Sequence, residues 1–312
     1  MVPGRRLRDW RTVRPVPRVG LIGTGNMGAA MWRRLQERGT TATVVDARPE
    51  ATAALATEGA PVAADPTALA AVSDVVLLSL PTSTEVADVA LGARGVIEGA
   101  GAGALVVDLT SGLPSESRRI AAALADSGIR YVDAGVSGGV DGARAGSLKA
   151  MVGGADADVA DARAVLDALA AQVWHCGPVG SGHTVKTLLN LANQAKLMVE
   201  LEALLVAGAS GIDPTLVGEV LDLAVWNRWL LSPEGRRRFG FALSLACKDF
   251  DIALRVAAEE RVAVPLAATA QQVLRLALAA AGPDADLIEA VAVWEDLAGV
   301  ELGGKLADEV TS

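Results

Sequence analysis

The hydrophobic pattern of the chain has two regimes. From Arg18 onward, short continuous apolar runs recur between longer mixed stretches. RVGLIG (18–23), TATVVD (41–46), DVVLLSL (74–80), ALVVDLT (104–110), YVDAGVS (131–137), LKAMVGG (148–154) and QVWHCG (172–177) each read as a buried strand. The stretches between them read as helices: Asn26 to Arg38 stopping before Gly39, one opening at Pro49, one from Pro114 to about Ser127, and one from about Asp156 to Ala170. Strands alternating with helices predict an α/β fold built on a doubly wound parallel sheet. Past Gly177 the strand signals vanish. A helix from His183 to about Ala209, ending at Gly211, would be roughly 40 Å long at 1.5 Å per residue. Further helical segments follow at Pro214–Leu223, Lys248–Glu260, Pro265–Ala281 and Pro283–Leu297.

Composition narrows the class. At about 150 residues per domain, 312 residues suggest two domains. Hydrophobic residues make up 51% and charged residues 21%, which is enough apolar material for a large core and excludes disorder as the overall state. Aromatics are only 3%, so the core is Ala, Val, Leu and Ile, and base-stacking surfaces are not expected. The net charge of −9 does not draw in phosphate backbones, so no nucleic-acid partner is expected. Two cysteines far apart form no disulfide framework and fit a reducing, cytoplasmic setting. No apolar run reaches the ~18 residues of a membrane span. The opening MVPGRRLRDWRTVRPVPR is arginine-rich and lacks the apolar stretch of a secretory signal. The expected organisation is a flexible basic tail over 1–17, a sheet domain over 18–178, and an all-α domain over 179–312 that begins with the long helix.

Four motifs carry candidate chemistry. Gly23, Gly25 and Gly28 form G-x-G-x-x-G directly after a strand and at the opening of a helix, with Thr24, Asn26 and Met27 between them. Such glycines give a tight turn and let backbone approach a pyrophosphate at the helix N-terminus, the signature of a Rossmann-type dinucleotide domain. Asp46 closes the second strand about 20 residues on. A carboxylate there suits a ribose hydroxyl and repels a 2′-phosphate, favouring NAD, while Arg48 keeps NADP open. On the long helix, Lys186, Asn190 and either Asn193 or Gln194 share one face of a mostly apolar segment. A desolvated lysine beside an amide is a plausible proton-transfer pair. Ser137, Gly138 and Gly139 follow a strand's end, where a hydroxyl and free N–H groups suit a carboxylate. Lys248-Asp249, read as opening a helix, offers positive charge to an anionic ligand.

Together these motifs resemble the β-hydroxyacid dehydrogenase family, from Val19 to about Gly299. GLIGTGNMG resembles its cofactor signature, DAGVSGGVDGARAGSLKAMVGG (133–154) its substrate-binding signature, GPVGSGHTVKTLLN (177–190) the segment with the catalytic lysine, and KDFDIAL (248–254) its late lysine motif. The resemblance implies an oxidoreductase that moves a hydride between a small hydroxy acid and a nicotinamide cofactor. Lys186 would be the general acid and base, with Asn190, Ser137, Gly138, Gly139 and Lys248 on the substrate. It adds Leu80 and Pro81 of LPTSTE (80–85) and Ser111 of DLTSGLP (108–114) as cofactor contacts, and extends Lys248 to the cofactor.

There are departures from the family pattern. Leu189 stands where many members carry a second asparagine. The segment 224–246, with Trp226, Arg228 and Trp229, aligns poorly; it reads either as core or interface packing or as a remodelled pocket in which Arg228 meets an extra carboxylate. His175 and His183, two isolated histidines, read as structural rather than as metal ligands. LTSGLP (109–114) is reminiscent of imine reductases, the first rival reading; a catalytically silent cofactor-binding module is the second. Lys186 speaks against both. The apolar long helix predicts a homodimer or homotetramer joined through the α domain.

Overall fold

The computed structural model describes residues 17–231 and 236–302. Residues 1–16 of the expected basic tail lie outside the described residues. The chain divides into two units. The first runs to Thr110 and includes Ser115–Gly182; the second comprises Ser111–Pro114 and the chain from His183 onward.

The first unit holds seven strands: β1 (Val19–Ile22), β2 (Ala42–Val45), β3 (Val75–Leu78), β4 (Leu105–Asp108), β5 (Arg130–Ser137), β6 (Leu148–Gly153) and β7 (Ala170–Gly177). They form one sheet in the order β2-β1-β3-β4-β5-β6-β7. Its helices are α1 (Asn26–Glu37), α2 (Pro49–Thr57), α3 (Pro66–Ala71), α4 (Ser83–Leu91), α5 (Val96–Gly99), α6 (Pro114–Ala125), α7 (Gly139–Ala145) and α8 (Asp156–Leu169). The continuous apolar runs have a direct cause: both faces of the sheet are covered. Along β3, Val75 and Leu77 enter one core with Leu21, Met31, Trp32, Leu35 and Val132, whereas Val76 and Leu78 enter the other with Ile22, Val106, Ile120 and Leu124. Trp32 Nε1 donates to Ala42 O at 3.0 Å and ties α1 to β2.

One pairing departs from the all-parallel expectation: β6 runs antiparallel to β5. A parallel return needs a crossover of a dozen or more residues, and only the short α7 connection lies between these strands. The parallel strands β1 to β5 all end on one edge of the sheet, so the loops at 23–28, 46–48, 79–81, 109–111 and 137–139 gather where open α/β sheets place ligands. Tyr131 in β5 is buried, and its hydroxyl donates to Asp108 Oδ2 at 2.7 Å.

The second unit is helical. It contains α9 (Ser181–Ala209, 29 residues, with its first two residues in the first unit), α10 (Pro214–Val220), α11 (Ala224–Trp229), α12 (Leu243–Glu259), α13 (Pro265–Ala281) and α14 (Ala290–Ala298). Met198 of α9 packs with Leu243, Cys247, Phe250 and Leu274, while Leu201 and Leu204 pack with Trp226, Leu230 and Val291. Three boundaries differ from the sequence reading. The segment 214–223 breaks after Val220, where Asp222 adopts φ 53°. The helix expected from Lys248 begins at Leu243, so Lys248 lies inside it and does not open it. The helix expected from Pro283 starts as a single 3-10 turn at Leu287–Glu289, capped by Asp286. That buried carboxylate also accepts from the backbone N–H groups of Phe239, Gly240 and Phe241.

Candidate active site

The glycine turn shows what each glycine is for. A Cβ on Gly28 would lie 1.9 Å from Gly23 O, and one on Gly23 would lie 2.2 Å from Ser79 O, so these two positions exclude any side chain. A Cβ on Gly25 would meet nothing nearer than Arg48 Nη2 at 3.6 Å. The turn is therefore closed by two glycines and left open by the third. Gly25 is also the N-cap of α1 and no side chain caps that helix, so the open side faces N–H groups suited to an anion. These features fit a dinucleotide pyrophosphate. Asn26 is exposed, and Met27 packs against the sheet core.

Asp46 sits beside this turn. Its Oδ2 accepts from Thr24 N at 2.7 Å and from Thr24 Oγ1 at 3.3 Å; its Oδ1 accepts from Arg48 N at 2.9 Å and Arg48 Nε at 3.3 Å. Burial pushes the carboxyl up, but the Arg48 and Thr24 donors and the Arg48 charge outweigh it and hold Asp46 below its ordinary range. Leu80 N donates to Thr110 Oγ1 at 3.2 Å, linking the loops after β3 and β4. Pro81 is exposed, and Ser111 is half-buried directly after Thr110. Ser137 is the last residue of β5, and Gly138 and Gly139 are exposed behind it with φ of 132° and 65°, a region that favours glycine.

In the second unit the stripe on α9 is built. Lys186 is 9% exposed, and its Nζ donates to Asn190 Oδ1 at 2.9 Å. Asn190 Nδ2 in turn donates to Asp249 Oδ2 at 2.7 Å, and Asp249 is 7% exposed. Lys248 Nζ lies 3.8 Å from Asp249 Oδ1. Burial lowers the proton affinity of Lys186; the Asp249 charge opposes this and the Lys248 charge adds to it. Burial raises the Asp249 carboxyl, against the pull of Lys248, Lys186 and the Asn190 hydrogen bond. A buried amine with lowered proton affinity, held by an amide, can exchange a proton with a hydroxyl. Of the two further candidates on α9, Gln194 is buried and Asn193 is exposed.

Asp249 is the residue the sequence reading left without a role. The available signal was an acid inside a helix face of Leu243, Ala246, Phe250 and Ala253. Within the divergent segment, Trp226 is fully buried and makes an edge contact with Phe239 at 6.2 Å, and Trp229 lies 5.5 Å from the same ring, which is packing. The side chain of Arg228 lies outside the described residues. Leu189 is half-buried. His175 Nε2 lies 2.9 Å from Gly154 O, and His183 is buried. Among the described residues no group of three or more His, Cys, Asp or Glu is placed to hold a metal.

Comparison with known proteins gives consistent matches along the chain. Residues 18–177 match the family described as the NAD binding domain of 6-phosphogluconate dehydrogenase. Residues 180–294 match the family described as NAD-binding of NADP-dependent 3-hydroxyisobutyrate dehydrogenase. The chain is 32% identical over 294 residues to 2-(hydroxymethyl)glutarate dehydrogenase of Eubacterium barkeri, covering 92% of this chain and 98% of that protein. It is 30% identical over 271 residues to mitochondrial 3-hydroxyisobutyrate dehydrogenase of Mus musculus, covering 83% and 81%. Among solved structures, that of Mycobacterium tuberculosis 3-hydroxyisobutyrate dehydrogenase with L-serine is similar, with a TM-score of 0.80, 26% identity, and coverage of 89% of this chain and 99% of that one.

Proposed function

Since this chain belongs to the β-hydroxyacid dehydrogenase family and is an NAD(P)-dependent hydroxyacid oxidoreductase, we propose that it acts on a 3-hydroxyisobutyrate-like β-hydroxy acid with Lys186 as general acid and base. The observation that carries this reading is the buried Lys186–Asn190 pair. When bound, the nicotinamide cofactor supplies the hydride acceptor. The chain supplies the rest. The neutral Lys186 amine takes the hydroxyl proton in oxidation, and its ammonium returns one in reduction. Asn190 Nδ2 carries two hydrogens; Asp249 takes one, and the other is a donor for the substrate oxygen. Ser137, Gly138 and Gly139 offer a hydroxyl and exposed backbone N–H groups to the substrate carboxylate. Lys248 adds positive charge for substrate and cofactor.

On the cofactor side, Gly23, Thr24, Gly25, Asn26, Met27 and Gly28 receive the pyrophosphate, and Asp46 accepts from the adenosine ribose. Leu80, Pro81 and Ser111 line the remainder of the dinucleotide. Asp46 favours NAD, and Arg48, released from Asp46, would admit NADP. An imine reductase is the weaker alternative, because Lys186 and Asp46 both suit hydroxy-acid oxidation with NAD. Loss of catalysis on a retained cofactor fold is disfavoured by the intact Lys186–Asn190 pair.

The test is an initial-rate panel at mildly alkaline pH with 3-hydroxyisobutyrate, 3-hydroxypropionate, serine, glycerate and threonate. Each is run with NAD+ and with NADP+. The expected result is NAD+ reduction on at least one of these acids and slower turnover with NADP+. Cyclic-imine reduction with NADPH and silence on every hydroxy acid would overturn the reading in favour of the alternative.

The second unit leaves apolar side chains of α9 in the open: Leu188 is 53%, Val199 65% and Val206 67% exposed. Such a face calls for a partner, and a homodimer or homotetramer is the expected assembly. Light scattering at micromolar concentration checks this, and a monomer there would refute it. No helix among the described residues is long and apolar enough to cross a membrane. The two free cysteines, Cys176 and Cys247, favour a cytoplasmic setting.

A further inference from the structure

We propose that Asp249 is a positioning residue for proton transfer, holding the Asn190 amide in the single orientation that presents Oδ1 to Lys186 and setting how readily that amine gives up its proton. The inference rests on the reading of Lys186 as the acid and base. An amide is nearly symmetric in shape, so packing alone does not choose between its oxygen and its nitrogen. Asp249 makes the choice. Its carboxylate accepts from Asn190 Nδ2 at 2.7 Å, and a flipped amide would set oxygen against oxygen. With Nδ2 fixed, Oδ1 is turned to Lys186 Nζ at 2.9 Å. The side chains are then linked in sequence: amine, amide, carboxylate and the second amine of Lys248, 3.8 Å from Asp249 Oδ1.

The charge of Asp249 matters as much as its hydrogen bond. The titratable groups acting on Lys186 are Asp249 and Lys248, both from α12; His183 stands three residues before it on α9. The carboxylate favours the ammonium form, and Lys248 and burial favour the neutral amine. Asp249 thus opposes the loss of the Lys186 proton that burial and Lys248 promote. A purely structural role is a poor account of this side chain. Contact between α9 and α12 already has Met198 packed among Leu243, Cys247 and Phe250, and a buried carboxylate adds desolvation cost that apolar packing avoids.

The test separates charge from shape. Asp249→Asn keeps an oxygen for Asn190 Nδ2 and removes the charge, while also allowing the reversed amide pairing. Asp249→Glu keeps the charge and displaces the oxygens. Competitive acetylation of the intact protein, read peptide by peptide by mass spectrometry across pH, reports the neutral fraction of Lys186 without substrate or turnover. The exposed Lys196 serves as internal standard. In Asp249→Asn the Lys186 profile is expected to move to lower pH by roughly one unit, the effect of one neighbouring charge on a buried group. The acid limb of kcat/KM for hydroxy-acid oxidation should move with it, and kcat should fall about tenfold as the amide loses its fixed orientation. In Asp249→Glu the labelling profile stays near that of the parent while kcat falls. An unshifted Lys186 profile in folded Asp249→Asn overturns the proposal. If that variant does not fold, a Lys186 profile in Asp249→Glu that moves to lower pH, as though the charge were lost, overturns it equally. Should Lys186→Ala retain turnover, the assignment of the base fails instead, and the labelling result still decides whether Asp249 tunes the amine.

Discussion

Lys186→Ala is expected to lower kcat by at least about a hundredfold, the scale on which a positioned acid or base contributes. Cofactor affinity should stay within a few-fold, because the glycine turn and Asp46 belong to the first unit and Lys186 to the second. Parallel measurements of steady-state rate and NADH fluorescence titration give both numbers. The pH profile of the parent enzyme carries the sign. Burial lowers the proton affinity of Lys186, so the neutral base is present from a lower pH than for an exposed lysine. Oxidation should rise with pH through that titration and then level off, and reduction should do the reverse. A Lys186→Ala enzyme with near-parental turnover, or one whose oxidation limb is unchanged, would remove the lysine from the mechanism.

Gly28→Ala should be the most damaging single methyl in the first unit. The new carbon would stand 1.9 Å from Gly23 O, far inside contact distance, and the obstacle is backbone rather than a side chain that can swing away. Either α1 shifts or the turn opens. A cost of about 3 kcal/mol, the upper end of overpacking, would lower the melting temperature by roughly 6–12 °C. Dinucleotide binding should be lost with it. Gly25→Ala is the informative contrast. The structure has room for that methyl, so melting should hardly change, while the methyl fills the cradle and cofactor affinity should drop. Calorimetry with and without NADH distinguishes the two. Equal melting temperatures for Gly28→Ala and the parent would mean that the turn is not as tight as described.

How much of this was legible in advance follows from what each feature depends on. The sheet was readable because a strand covered on both faces must be apolar at every position, as in Val75–Leu78. The reversed direction of β6 was not, since alternation of side chains carries no direction; only the short α7 connection encodes it. The start of α12 at Leu243 was invisible because Ala242 at its N-cap makes no side-chain cap, which left Lys248 as the first charged landmark. The Lys186–Asn190 spacing sat within one helix and could be read from periodicity. Asp249 could not be placed beside them, because the hydrogen bond joins residues 59 apart in sequence and exists only once α9 and α12 pack. Trp226 and Trp229 could be read as pocket or core, and their contacts with Phe239 make them packing residues.

The buried hydrogen bond from Tyr131 to Asp108 has an optical consequence. This is the sole tyrosine of the chain. Burial, with the nearby Asp108 charge and hydrogen bond, pushes its phenol well above the ordinary tyrosine value. Phenolate absorption should therefore stay dark through the alkaline range in which dehydrogenase rates are measured. Its appearance would time the opening of the sheet around β4 and β5, a clock for the nucleotide-binding half alone. Trp226, Trp229 and Trp294 belong to the helical half but Trp32 and Trp174 to the first, so tryptophan emission follows both halves and the phenolate signal picks out the first.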